Sequence, residues 1–190
     1  LFLEESPLAL KNGVWKIKNR ILLWNTLGSG ISDKNLNDFK EYALVVLTEQ
    51  DPTFGLPPVE RLKASIYGNA LKHSHSLRIG IAESLALLGN SGNTLKNCSP
   101  SNVEATVILT IREVFSNATW ELWGTLNDLL PILAEAAPNE FLNAVDKALG
   151  SSHCPFDMLF SNEDSGIFGH NYLAGLLWAL ESLAWDDKYL

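Results

Sequence analysis

Between residues 33 and 184 the apolar positions of this chain recur at spacings of three and four, and proline and glycine corners break the runs. That period is one stripe of an α-helix and not a strand, so most of the chain is constrained to be helical. Asp33 is placed to cap a helix whose inward positions are Leu36, Phe39, Ala43, Val46 and Leu47, and Asp51-Pro52 stops it. Pro57-Pro58 opens a second, with Leu62, Ile66, Ala70 and Leu71 on one face. Ser74 or Ser76 starts a third, with Leu77, Ile81, Leu85 and Leu88 inside and Gly89 just past its end. Residues 89–100 read as loop. Ser101 and Glu104 read as a capping box for a fourth helix that buries Val107, Ile111, Val114 and Phe115. Thr119 caps a fifth, carrying Leu122, Leu126, Leu129 and Leu133 and kinked at Pro131. Pro138 opens a sixth, with Phe141, Val145, Ala148 and Leu149, closed by Gly150. Residues 151–168 read as irregular. Asn171 then caps a seventh helix over 172–184, apolar almost all round and so expected at the centre of the fold.

The N-terminal end differs. In LALKNGVWKIK (8–18) the pair Asn12-Gly13 separates two short runs, and Asn-Gly is the strongest short hairpin signal because both positions tolerate positive φ. Val14 and Lys16 alternate with Trp15 and Ile17, the period of a half-buried strand. Ile21-Leu22-Leu23-Trp24 follows as a short helix ended by Gly28-Ser29-Gly30. The expected organisation is thus mainly α. Residues 1–31 form a β-hairpin and short helix, and residues 32–190 form a helical-repeat domain. Within that domain, short Pro- and Gly-bearing turns argue for antiparallel helix pairs stacked as an α-solenoid of the HEAT or armadillo kind, with a closed bundle as the alternative. No clean self-similarity marks the roughly 40-residue period of such repeats.

Charge narrows the partners. Residues 1–95 hold 10 basic and 9 acidic residues, and residues 96–190 hold 4 and 13, within a net charge of −8. An acidic second half repels phosphate backbones, which argues against nucleic acid. Lys11, Lys16, Lys18 and Arg20 form the one basic cluster and read as a solvated hairpin edge. No run of about 18 apolar residues is present, so no membrane span is expected. Cys98 and Cys154 sit far apart in polar segments, as free thiols of a reducing cytoplasm would, with a single bridge between them as the alternative. The chain opens on Leu1 and closes just past a helical run, and we read it as a piece of a longer protein whose leader could have been lost with its start.

Chemistry is sparse. Gly89, Gly92 and Lys96 lack the Gly-Lys-Ser/Thr of a phosphate loop, and Gly28-Ser29-Gly30 lacks the third glycine of a dinucleotide fingerprint. His73 and His75, with His153, Cys154 and His170 as remote ligands, do not have zinc-site spacing. No GxSxG elbow is present. His153 beside Cys154, and Glu163-Asp164 with Asp186-Asp187, are better explained as loop and helix-end polar residues. Trp120 and Trp123, and Trp178 and Trp185, each share a helix face and read as core. Glu181 lies between Trp178 and Trp185 on that face. If buried, it needs a cationic partner from Arg61, Arg78 or Arg112, which would make Trp178, Glu181, Trp185 and Arg78 a structural tether rather than a catalytic group. No catalytic residue, cofactor or metal site is expected.

Several stretches, taken in order, carry a resemblance. They are GVWKI (13–17) with the Trp24 helix, DPTFGLPPVER (51–61), HSHSLRIGIAESLALLG (73–89), LLPILAEAAP (129–138) and LLWALESLAW (176–185). Together they resemble the helical region that follows the ATPase core in large bacterial STAND-type NTPases, relatives of which act in defence against phage. The resemblance implies a sensor that recognises a protein or other ligand beside an ATPase held elsewhere in the same protein. It also implies that the hairpin is the tail of a winged-helix linker. No ATPase motif lies in this segment, so no catalytic residue carries over. The expectation is a non-enzymatic cytoplasmic scaffold. The alternative is a stand-alone metal-dependent or Cys/His hydrolase using the His73/His75 or His153/Cys154 loops.

Overall fold

The computed structural model describes residues 6–61, 64, 68, 70–162 and 171–189. It is mainly helical, with one two-stranded antiparallel sheet. β1 (Leu8–Lys11) pairs with β2 (Val14–Ile17) across Asn12 and Gly13, whose φ angles of 53° and 76° make the positive-φ turn that Asn-Gly favours. Leu8 lies opposite Ile17 and Leu10 opposite Trp15, so one face of the hairpin is an apolar ladder, while Lys11 and Lys16 belong to the other. The expected half-burial does not occur. All of β2 is exposed, and the hairpin contributes nothing to the core.

Asn19 caps α1 (Arg20–Leu27), accepting the Leu22 amide. Ser32, rather than Asp33, is the cap of α2 (Asp33–Leu47), in a reciprocal box with Asn35. Among the described residues the expected second helix is represented by α3 (Pro58–Arg61); most of the rest of its span lies outside them. Of its predicted inward face, Leu62 and Ile66 lie outside the described residues and Ala70 is exposed. Ser74 caps α4 (His75–Ser91), which runs through Gly89 instead of ending there. Ser99 caps α5 (Pro100–Phe115), two residues before the expected Ser101, because Pro100 fits the first turn where no amide donor is needed.

The expected fifth helix is broken rather than kinked. α6 (Trp120–Thr125) passes through a tight turn, Asn127–Leu129, into α7 (Leu130–Ala136), with Pro131 in the first turn of the new helix. Thr119 sits at the cap of α6 but makes no side-chain cap bond; its hydroxyl accepts from Gln50 instead. α8 (Pro138–Leu149) forms as read, with Phe141 and Val145 buried. The segment after it is not wholly irregular. Pro155 opens α9 (Pro155–Ser161), which buries Phe156 and Leu159 on one side and is too short for its periodicity to stand out. α10 (Ala174–Ala184) begins two residues later than expected, with Asn171 accepting the Leu173 amide just ahead of it.

Packing follows a regular rule. Most of the longer helices rest chiefly on the one three places away: α4 on α7, α7 on α10, α2 on α5, α5 on α8, and the short α6 on α9. α1 leans on α4 in the same way, through an Arg20–Glu83 ion pair and the Trp24 indole, which donates to the Ser91 carbonyl at 3.1 Å. Two rows result, α1–α4–α7–α10 and α2–α5–α8, joined where α4 meets α5 and α7 meets α8. One continuous apolar core runs between them, with Trp123 stacked on Phe115 at 4.5 Å and edge-on to Phe141 and Phe156. Two close approaches need glycine. A Cβ on Gly89 would meet the Ala136 carbonyl, and one on Gly175 the carbonyl of Asn127.

α10 is not central. It buries Gly175, Leu176, Ala179 and Leu183 but leaves Leu177 and Trp178 at 59% and 63% exposure. It has α7 on one side, and no described helix covers the other.

Candidate functional site

The expected tether does not form. Trp178, Glu181 and Trp185 do share a face of α10, but it is the outer one, and Trp185 is 83% exposed. Arg78 is buried, and its partners lie elsewhere. Its Nη1 donates to the Val46 carbonyl at 3.0 Å, Nη2 reaches the Thr125 carbonyl at 3.5 Å, and the Glu49 carboxylate stands 3.9 Å away. Burial pulls the guanidinium down from its ordinary range, while Glu49 and Asp51 push back. Arg78 therefore fastens the end of α2, the start of α4 and the end of α6 to one another.

Glu49 completes this knot, and sequence reasoning missed it. Its carboxylate accepts the Lys72 amide at 2.6 Å, the His73 amide at 3.2 Å and His73 Nδ1 at 2.8 Å. Burial pushes the carboxyl up, but these hydrogen bonds outweigh it and hold the group below the usual carboxylate range. The available signal was Arg78 itself, a charged residue in register with Ile81, Ala82 and Leu85 on the inward face of α4.

Arg61 and Arg112, the other two arginines considered as partners for Glu181, also tie elements together. Arg61 donates to the Leu56 carbonyl and to Asn162 Oδ1, each at 3.0 Å, and lies over the Phe54 ring. Arg112 grips Glu140 with two bonds of 3.0 and 2.9 Å, joining α5 to α8 and holding the Glu140 carboxyl low.

The residues considered for metal or hydrolytic chemistry do not converge. His73 is taken up by Glu49, and His75 is the exposed first residue of α4. His153 is exposed, with Ser152 Oγ 3.2 Å from its Nδ1. Cys98 and Cys154 are free thiols; Cys98 is buried, donates to the Ile31 carbonyl, and is pushed up by burial and by Asp33. Asp186 and Asp187 are exposed. Glu163, Asp164 and His170 lie outside the described residues. Among the described residues no group of three or more His, Cys, Asp or Glu side chains is placed to hold a metal. None of the described helices is long and apolar enough to cross a membrane.

A cleft of about 830 Å³ opens where the α4–α5 pair meets the α7–α8 pair. Its floor is apolar, with Leu88, Leu95, Val103 and Val107 buried beneath it. Its rim carries both signs of charge, with Lys96 and Lys188 against Glu104 and Glu140, and adds the amides of Asn90 and Asn139. Clefts of this size with an apolar floor and a few polar groups suit a small ligand or a short stretch of another chain. A smaller cleft, about 480 Å³, lies beside Trp120, Met158 and His153. No protein-family model, curated protein or solved structure matches the chain.

Proposed function

We propose that the chain is a non-enzymatic recognition scaffold: the helical sensor region of a larger bacterial STAND-type signalling ATPase, acting in the cytoplasm. Its partners are other domains of the same protein and a protein ligand. The reading takes the two rows of helices as an α-solenoid in which α4–α5 and α7–α8 are successive pairs. The observation that carries it is the cleft between those pairs, since the seam between stacked repeats is where such scaffolds present an extended binding surface. The mixed charges on the rim and the apolar floor suit a polypeptide better than a polyanion.

The first test is the complete reading frame that encodes the chain. A Walker A motif upstream and more helical repeats downstream support the proposal; a frame that starts and ends near these residues overturns it. The second test uses the full-length protein challenged with phage. Lys96→Glu and Asn139→Trp in the cleft should abolish the response and leave basal ATPase turnover intact. An unchanged response after deletion of residues 32–190 sinks the sensor role. A hydrolase at the His73/His75 or His153/Cys154 loops is the competing reading. Stoichiometric zinc in the purified protein, lost in His73→Ala, would favour it.

A further inference from the structure

We propose that the arm formed by the hairpin and α1 is coupled to the cleft through the loop between α4 and α5, so that the state of each biases the other. The proposal rests on reading the cleft as the recognition site. One face of this loop is a wall of the cleft, which Gly92, Asn93, Leu95 and Lys96 line. The other face is the seat of the arm. The Trp24 indole donates to the Ser91 carbonyl at 3.1 Å, and the Asn97 side-chain amide donates to the Ser29 carbonyl. Between these two bonds Gly28 comes close. A Cβ on it would stand 3.2 Å from Leu95 Cδ2 and 3.3 Å from the Thr94 carbonyl oxygen. Leu95 is thus clasped between the end of the arm and the cleft, and it is buried.

The two halves of the loop are held differently. Its far end is fastened to the start of α2, where Cys98 Sγ donates to the Ile31 carbonyl at 3.3 Å and the Ser99 amide to the Asp33 carboxylate at 3.2 Å. α2 buries Leu36, Ala43, Val46 and Leu47 in the core, so that end is fixed. The near end depends on the arm, and the arm is lightly held. α1 buries none of its residues, and its Arg20–Glu83 ion pair on α4 is partly exposed. A partly exposed ion pair and single hydrogen bonds hold weakly, so the arm can leave while the core stays closed. When it leaves, residues 91–97 lose their outer support and the cleft wall is free to move. A guest that presses on the wall presses equally on the seat, because coupling between two sites is reciprocal.

Amide hydrogen exchange on the 190-residue chain tests this without a ligand. The reporters are the Leu95 and Lys96 amides, which donate to the Gly92 and Thr94 carbonyls within the loop. From the arm side, Trp24→Phe removes the indole donor and keeps a ring. It should speed exchange of both reporters about threefold to tenfold, the effect of one lost hydrogen bond, and leave the amides of α7 and α8 unchanged. Arg20→Gln should produce a smaller rise in the same two amides. From the cleft side, Asn139→Trp on α8 and Ile108→Trp on α5 each set a bulky ring at the cleft, and neither position belongs to the seat of the arm. At least one of them should speed exchange across α1. Far-UV circular dichroism checks that every variant keeps the fold. Reporters unmoved by Trp24→Phe overturn the proposal. So does a rise shared by α7 and α8, which is a general loosening, or an α1 unmoved by both wedges. If loop and arm respond as expected while Lys96→Glu and Asn139→Trp spare the full-length response to phage, the coupling stands and the recognition reading falls. The reverse result removes the coupling alone.

Discussion

The Arg78 guanidinium lies 3.9 Å from the Glu49 carboxylate and donates to the Val46 carbonyl three residues before it, so one buried side chain locks the C-terminal end of α2 against the start of α4. Replacing Arg78 with Met keeps much of its volume but leaves the Val46 carbonyl without its donor and Glu49 without its cation. Removing one partner of a buried pair costs about 3–5 kcal/mol, and we expect Arg78→Met to lose about 3 kcal/mol in urea unfolding with an unchanged slope. A loss below about 1 kcal/mol, the scale of an ordinary surface change, would show that the knot is not a main fastening of the fold.

The same knot sets an acid limit on stability. The Glu49 and Glu140 carboxyls both lie below the ordinary carboxylate range in the folded protein, Glu49 through hydrogen bonds that overcome its burial and Glu140 through Arg112. The unfolded chain therefore takes up these protons at a higher pH than the folded one. Their contribution is complete above the unfolded carboxylate value, about 4.3, and is lost as pH falls through the lower folded values. Thermal midpoints should be flat near neutrality and fall below about pH 4. Glu49→Gln should start from a lower midpoint, because Arg78 loses its counter-charge, and should decline less steeply in acid. An equally steep decline in the variant would remove Glu49 from the explanation.

What the sequence makes legible here is local. The hairpin, α2, α4, α5 and α8 follow from Asn12-Gly13, from apolar spacing and from proline-led first turns, all of which are signals within a few residues. Caps were legible only to within a residue or two, since Ser74, Ser76, Ser99 and Ser101 are chemically equivalent until the backbone chooses. α9 was hidden because a seven-residue helix completes barely two turns. The tether failed for a different reason. Periodicity states that Trp178, Glu181 and Trp185 share a face; it does not state which way that face turns. α10 satisfies its packing with Leu176, Ala179 and Leu183 on α7, and the indoles are left outside. The Glu49 knot was out of reach because it joins Glu49 to Lys72, His73 and Arg78, contacts made only when α2 and α4 are brought together.

Two glycines in one helix should respond in opposite senses to the same change. Gly80 lies in α4 with nothing near its missing Cβ, so Gly80→Ala should gain up to about 1 kcal/mol from helix propensity alone. Gly89, farther along the same helix, faces the Ala136 carbonyl where α7 ends. A methyl group there forces the two helices apart, and overpacking of about 1–3 kcal/mol should exceed the propensity gain. Chemical denaturation of both variants checks the pair. A stabilised Gly89→Ala would mean that the α4–α7 contact is looser than the described backbone.

The two cysteines should separate cleanly in reactivity. Cys98 is 8% exposed, donates from its Sγ to the Ile31 carbonyl at 3.3 Å, and has its thiol pushed up by burial with Asp33 nearby. Thiol reagents attack the thiolate, so burial slows Cys98 twice, by denying access and by disfavouring the reactive form. Cys154 stands just ahead of α9 without a side-chain cap bond and is only partly covered. In native buffer a disulfide-exchange reagent should therefore label one thiol quickly and the second only as the chain opens. Cys154→Ser should abolish the fast phase and leave the slow one. The slow phase should accelerate in urea in step with unfolding. It should also accelerate in Arg78→Met, because exchange through global opening follows the free energy of unfolding. A slow phase indifferent to that variant would mean that the loop around Cys98 opens on its own, without the rest of the core.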